Sequence, residues 1–149
     1  MYTYTLTKIG LAGLLAVAQL GSVSSIDSVA STSVPTLVVP ATQSELVSEL
    51  IDQTSQDYGV DPKIATLIAR CESNLNHYNR AGEVLRGRVN PQDVGTFQIN
   101  EKYHLEKSRE LGLDIYTLEG NIEYAMWVMD NQGKSAWRWS RRCWDKKRS

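Results

Sequence analysis

Apolar side chains recur at helical spacing in three stretches of this chain and lose that spacing between the second and the third. Leu46, Val47, Leu50, Ile51 and Tyr58 form one stripe, which predicts a helix from Ser44 to Tyr58 with Gly59 as its left-handed stop. Asp61 followed by Pro62 reads as a helix cap and a first-turn residue. The next helix is therefore expected over Pro62–Ser73, with Ile64, Leu67, Ile68 and Cys71 on its apolar side. Glu72 follows Ile68 by one helical turn, so it sits at the edge of that stripe. From Asn74 to Thr96 the period vanishes, and Gly82, Gly87, Asn90, Pro91 and Gly95 mark turns. Val84–Val89 has the composition of a small twisted hairpin. Helical character returns over Tyr103–Leu111 and more strongly over Leu118–Asn131, where Ile122, Ala125, Met126 and Met129 share one side and Gly133 ends the run. Trp137, Trp139 and Trp144 then crowd a short segment around Cys143. The fold class expected is α+β, mostly α-helical, with a small β-hairpin.

The amino terminus has a different pattern. Residues 1–8 are polar with one positive side chain, Lys8, and Ile9–Leu20 is an apolar run too short and too rich in Gly and Ala to be a good bilayer span. Small residues follow, through Ala30. A charged start, an apolar middle and a small-residue exit predict a secretory signal peptide over residues 1–30. The alternative is an uncleaved segment that would tether the protein to the membrane. Residues 31–42, built from Ser, Thr, Val, Ala and Pro with a single Leu, read as a flexible linker. Residues 43–149 are left for one small domain. The protein is expected to be secreted or held in the cell envelope.

The net charge is −1, so the whole molecule does not attract nucleic acid. Its charge is uneven, however. Residues 43–61 carry Glu45, Glu49, Asp52, Asp57 and Asp61 without a Lys or Arg, whereas the tail from Lys134 is basic. That tail is either a solvated terminus or a weak anchor for an anionic surface. An oxidising compartment and an even cysteine count point to a disulfide between Cys71 and Cys143.

Glu72 is the strongest candidate for chemistry. The edge of an apolar helix face removes hydration from a carboxylate and raises its pKa, and the helix C-terminus pushes the same way. A carboxylic acid that holds its proton near neutrality can protonate a departing sugar oxygen. Asp93 lies in a polar, Pro- and Gly-bounded segment and could serve as a second carboxylate or as a turn cap. Gln98 and Asn100 alternate with Phe97 and Ile99, an arrangement that buries the apolar pair and shows two amides to a cleft. Among the aromatic residues, Tyr103 and Tyr124 are the expected sugar contacts, core packing being the commoner role for the others. His77 and His104 do not fall at the spacing of a metal site, and Ser73 has no adjacent base. No metal and no cofactor are expected.

Three segments together resemble the lysozyme-like superfamily. They are Glu72-Ser73-Asn74-Leu75-Asn76, Asp93-Val94-Gly95-Thr96-Phe97-Gln98-Ile99-Asn100, and Asn121-Ile122 with Ala125. Within it the chain is most similar to a bacterial soluble lytic transglycosylase domain. Thr96-Phe97 stands where a Leu-Met pair is usual, and a Trp-rich, Cys-bearing end replaces the Ala-Tyr-Asn segment. The resemblance implies a monomeric enzyme acting on peptidoglycan glycan strands at the MurNAc–GlcNAc β-1,4 bond. Glu72 becomes the general acid and base, and Asp93 matches a second catalytic carboxylate. Ser73, Gln98 and Asn100 join Tyr103 and Tyr124 as expected substrate-binding residues. The alternatives are a hydrolytic muramidase using both carboxylates, a wall-binding module without catalysis, and an envelope-tethered interaction protein.

Overall fold

The computed structural model describes residues 42–145, which fall in the second of two units, Val38–Ser149. The expected signal peptide, most of the expected linker and the last basic residues lie outside the described residues. Among the described residues, no helix is long and apolar enough to cross a membrane. The domain is mostly helical, with a two-stranded antiparallel sheet.

Helix α1 spans Gln43–Asp57, one residue earlier at each end than the spacing predicts. Its N-cap is Thr42, which accepts from the Glu45 amide while the Glu45 carboxylate accepts from the Thr42 amide. Thr42 therefore belongs to the domain and not to the linker. The buried face is Val47, Ile51 and Ser55; Leu46 is exposed, against expectation. Leu50 and Tyr58 already flank that face, so Leu46 falls on its far side. Ser55 meets its hydroxyl's needs in the core by bonding to the Met126 sulfur at 3.3 Å. Helix α2 spans Pro62–Ser73 as expected, with Asp61 capping the Lys63 amide at 2.9 Å. Ala65, Ile68 and Ala69 are its buried residues, and Leu67 turns out to be exposed.

The segment after α2 corrects the expected hairpin. Val84 bridges back to Tyr78, and Arg86 bridges forward to Val94. The Leu85 amide donates to the His77 carbonyl and the Gly95 amide to the Leu85 carbonyl, both at 2.8 Å. Residues 84–86 thus lie between two other segments rather than folding on themselves. A tight turn at Gly87 redirects the chain; a Cβ there would stand 2.4 Å from the Asn90 carbonyl oxygen. The regular hairpin lies further on, between β1 (Asp93–Val94) and β2 (Ile99–Asn100), in the register Asp93↔Asn100 and Val94↔Ile99.

Helix α3 spans Glu101–Glu110 and helix α4 spans Leu118–Gln132. Buried positions run round most of α4, including Asn121, Ile122, Tyr124, Ala125, Met126 and Val128, so it is the central helix of the domain and not one with a single apolar side. Helix α1 packs against both α2 and α4. Beyond Gly133 the chain makes two 3₁₀ turns over Lys134–Ser140, kinked at Trp137, and then α5 over Arg141–Trp144. Trp137 and Trp144 are buried in the core, whereas Trp139 is exposed.

The turn between β1 and β2 runs through the interior. Its backbone groups are paired largely by side chains: the Phe97 amide donates to Asn121 Oδ1, and Asn121 Nδ2 donates to the Val94 and Ile115 carbonyls, each at 3.0 Å. The Thr96 amide donates to His77 Nδ1 at 3.3 Å, which leaves Nε2 to donate to the Tyr116 carbonyl at 3.0 Å. Burial holds the His77 pKa below the ordinary imidazole value, as this neutral tautomer requires. Gly95 lies against both side chains. Its φ is +69°, and a Cβ would stand 2.5 Å from His77 and 2.7 Å from Asn121.

Two stability predictions follow from this packing. Gly95→Ala should destabilise the domain by about 3 kcal/mol in urea unfolding, from the clash together with left-handed strain. Gly133→Ala, at a similar φ but with ψ 175°, has no atom near its added methyl and should lose about 2 kcal/mol, from backbone strain alone. The Cys71–Cys143 disulfide forms, with a sequence separation of 72. Replacing both cysteines by serine should lower unfolding free energy by about 4 kcal/mol in the chain-entropy treatment.

Candidate active site

The end of α2 sets the position of Glu72. Asn74 caps the helix in the left-handed region at φ 55°, and Leu75 follows at φ 60°. A left-handed leucine is strained. Its side chain is buried, and that burial holds the turn in place. The chain therefore leaves the helix abruptly two residues after Glu72. On its other side Glu72 follows Cys71, whose disulfide draws the C-terminal segment across the helix end.

That segment supplies a partner for the carboxyl group. Ser140 Oγ donates to Glu72 Oε1 at 2.5 Å and also lies 3.2 Å from the Trp137 carbonyl. Burial is the main reason the Glu72 pKa is raised above the ordinary carboxyl value. The Ser140 hydrogen bond opposes the shift, and the charge of Asp93 adds to it.

Asp93 stands on β1, opposite Asn100 of β2. Its Oδ1 accepts from Asn90 Nδ2 at 3.0 Å and from Asn100 Nδ2 at 2.6 Å. Asn100 gives up one bond to make that contact: its own Oδ1 is buried without a hydrogen-bond partner. Gln98 sits at φ 49° with Nε2 donating to the Gly95 carbonyl at 2.9 Å. Strain of this kind collects at functional sites.

These groups line one cavity of about 530 Å³. Glu72 comes from the end of α2, and Asn90, Asp93, Gln98, Ile99 and Asn100 from the turn and hairpin. Tyr103 and His104 come from α3, Val128 from α4, and Ala136 to Trp139 from the 3₁₀ segment. A cavity of this size suits a ligand of a few sugar rings. Trp137 is fixed in its wall, with Nε1 donating to the Phe97 carbonyl at 2.9 Å, and Trp144 Nε1 donates to the Trp137 carbonyl at 3.0 Å.

Five of the seven expected catalytic and binding residues are brought together in this cavity: Glu72, Asp93, Gln98, Asn100 and Tyr103. Two are not. Ser73 closes a local turn, with Oγ donating to the Ala69 carbonyl and accepting from the Asn76 amide. Tyr124 is fully buried, and its hydroxyl meets the ring of His104 at 3.0 Å, so it reaches the cavity only through that histidine. Spacing gave no sign of Ser140, Asn90, His104 or Arg138. The Trp-rich, basic composition of the C-terminal segment was the only hint that it would wall a cleft. Among the described residues there is no group of three or more His, Cys, Asp or Glu side chains placed to hold a metal ion.

Comparison with protein-family models, with curated proteins and with solved structures returned no match. The site is therefore read from its own geometry, which makes two opposed predictions. Ser140→Ala removes the contact that favours the charged form, so the Glu72 pKa should rise. Asp93→Asn removes the neighbouring negative charge, so it should fall. Carboxyl-carbon NMR titration of Glu72 in the two variants reads both directions.

Proposed function

We propose that this protein is a peptidoglycan-cleaving glycosidase that acts as a lytic transglycosylase on the MurNAc–GlcNAc β-1,4 bond. The observation that carries the reading is the pairing of Glu72 and Asp93 across one cavity. One is half-buried, with its pKa pushed up by burial; the other is held by two asparagine amides on a separate element. Two carboxyl groups in unlike environments are the usual equipment for cleaving a glycosidic bond. The motif resemblance supports the same reading, as does the disulfide, which fits an oxidising compartment outside the cytoplasm.

In the proposed reaction, protonated Glu72 gives its proton to the glycosidic oxygen as the bond to C1 of the muramic sugar breaks. GlcNAc leaves with a free 4-hydroxyl. Positive charge spreads over C1 and the ring oxygen, and the negative side of the cleft stabilises it. The Glu72 carboxylate then takes the proton of the muramic 6-hydroxyl as that oxygen bonds to C1. The product is a 1,6-anhydro sugar, no water is consumed, and Glu72 ends protonated. The Ser140 hydroxyl suits both halves of this cycle. It donates to the carboxylate when Glu72 is charged, and it can turn to the Trp137 carbonyl when Glu72 is protonated.

A second reading is favoured by the position of Asp93 in the same cavity: hydrolysis by a muramidase, with water in place of the 6-hydroxyl and Asp93 bearing the charge. Mass spectrometry of digested sacculi separates the two, since anhydro ends mark the transglycosylase and reducing ends the hydrolase. Glu72→Gln should lower the rate of muropeptide release by about 10³-fold or more, as loss of a general acid does. Release at the wild-type rate from that variant would sink both readings. Binding to sacculi with no release by the wild-type chain would point instead to a wall-binding module.

A further inference from the structure

Trp139 is 86% exposed, although the two tryptophans that flank it in the segment, Trp137 and Trp144, are buried. Among the described residues, the large exposed hydrophobic side chains include two aromatic ones, Trp139 and Tyr103, and both line the cavity that holds Glu72. Leaving an indole in water forgoes roughly 1.5–3 kcal/mol of burial, so its position calls for a partner that is not part of this domain.

The platform under Trp139 is rigid. Trp137 is tied to the Phe97 carbonyl, Trp144 is tied to the Trp137 carbonyl, and Cys143 is bonded to Cys71. The indole is thus shown by a fixed segment, the same one that brings Ser140 to Glu72.

Arg138 completes the arrangement. Its guanidinium carbon lies 5.2 Å from the centroid of the Trp139 ring, over one face, which leaves the other face free. Arg138 is the sole Lys or Arg among the residues lining the cavity, where both carboxyl groups are also found. It forms no ion pair with a carboxylate of the described residues. A cation set against Glu72 would weaken that group's hold on its proton, and Arg138 makes no hydrogen bond to it. A polymer of neutral sugars has no group that calls for this charge.

We propose that Trp139 and Arg138 form a sugar subsite beside Glu72 that takes a pyranose carrying a carboxylate on its substituent. The indole stacks on the C–H face of the ring and the guanidinium meets the carboxylate. The inference rests on the glycosidase reading and names the part of the substrate that the cleft selects. The carboxylate has two sources in a peptidoglycan strand: the lactyl group of a stem-free muramic residue, and the acidic residues of an attached peptide stem.

The experiment measures binding to the full-length Glu72→Gln chain, alone and combined with Arg138→Gln or Trp139→Ala, by calorimetry. Both side chains are exposed, so neither change threatens folding. Three ligands are compared: a neutral chito-oligosaccharide, a glycan strand stripped of its stems, and a strand with stems intact. Trp139→Ala should weaken all three by about tenfold, as loss of an aromatic platform does. Arg138→Gln should weaken only the carboxylate-bearing ligands, by about five- to tenfold, and added salt should shrink the difference. A loss confined to stem-free strands assigns the lactyl carboxylate, and a loss confined to stem-bearing strands assigns the peptide. Equal effects of Arg138→Gln on neutral and charged ligands, or no effect, overturn the proposal. If all three ligands bind in this way but the wild-type chain releases no product, the subsite stands and the cleavage reading falls. If no ligand binds to any form, both fall.

Discussion

A turn that passes through the interior of a protein must have its backbone hydrogen bonds met there, because no water can meet them. Residues 94–97 are such a turn, and Asn121 and His77 answer the demand with side chains. Asn121 makes three bonds in this role, one as acceptor and two as donor, and so uses both of its N–H groups. Each of these side chains also reaches a second segment, Asn121 at Ile115 and His77 at Tyr116, so one set of bonds joins the central helix, the turn and the loop before α4. The rest follows from that junction. Gly95 is needed because two side chains press on its Cα, and Asp93 and Gln98 face the cleft because they are the first residues on either side of the buried stretch.

The helix ends were legible where short-range chemistry decides them. Asp61-Pro62 located the start of α2, and Gly133 the end of α4. The position of Glu72 at the edge of an apolar face followed from spacing alone, and its half-burial agrees. Where pairing is long-range, local pattern misled. Val84–Val89 has hairpin composition, but backbone partners at His77, Asp93 and Gly95 were available and took its bonds. Leu46 and Leu67 joined apolar stripes on paper, yet Ser55, which no hydropathy argument would bury, fills part of the core through a thioether contact. Tyr124 was read as facing substrate because its helix borders the polar segments. Nearly the whole circumference of that helix is buried; Tyr124 meets the cleft only through His104, whereas Val128, one turn further on, lines it directly.

The two carboxyl groups of the cleft are held by different means. Glu72 is set by burial, since the C-terminal segment excludes water from one side of it, and a single hydroxyl offsets part of the effect. Asp93 is held in position by hydrogen bonds from amides on its own hairpin and turn. The first control needs the chain to close over the helix end; the second is local to residues 90–100. The left-handed Leu75 and Gln98 add to the cost of this arrangement; Gln98 lines the cleft, and Leu75 follows Glu72 by three residues. A domain selected for stability alone would keep none of them.

The distance in sequence between Glu72 and Ser140 has a consequence in time. A chain made from its amino terminus presents α1, α2 and Glu72 long before the residues that cover Glu72 exist. Ser140 lies 68 positions later, and the cysteine that locks the segment in place comes later still. Until the final stretch is made, Glu72 lacks the hydroxyl partner and the cover that this segment gives it. Synthesis thus orders the assembly of the cleft: the scaffold comes first, the segment that covers Glu72 last, and oxidation of the two thiols completes it.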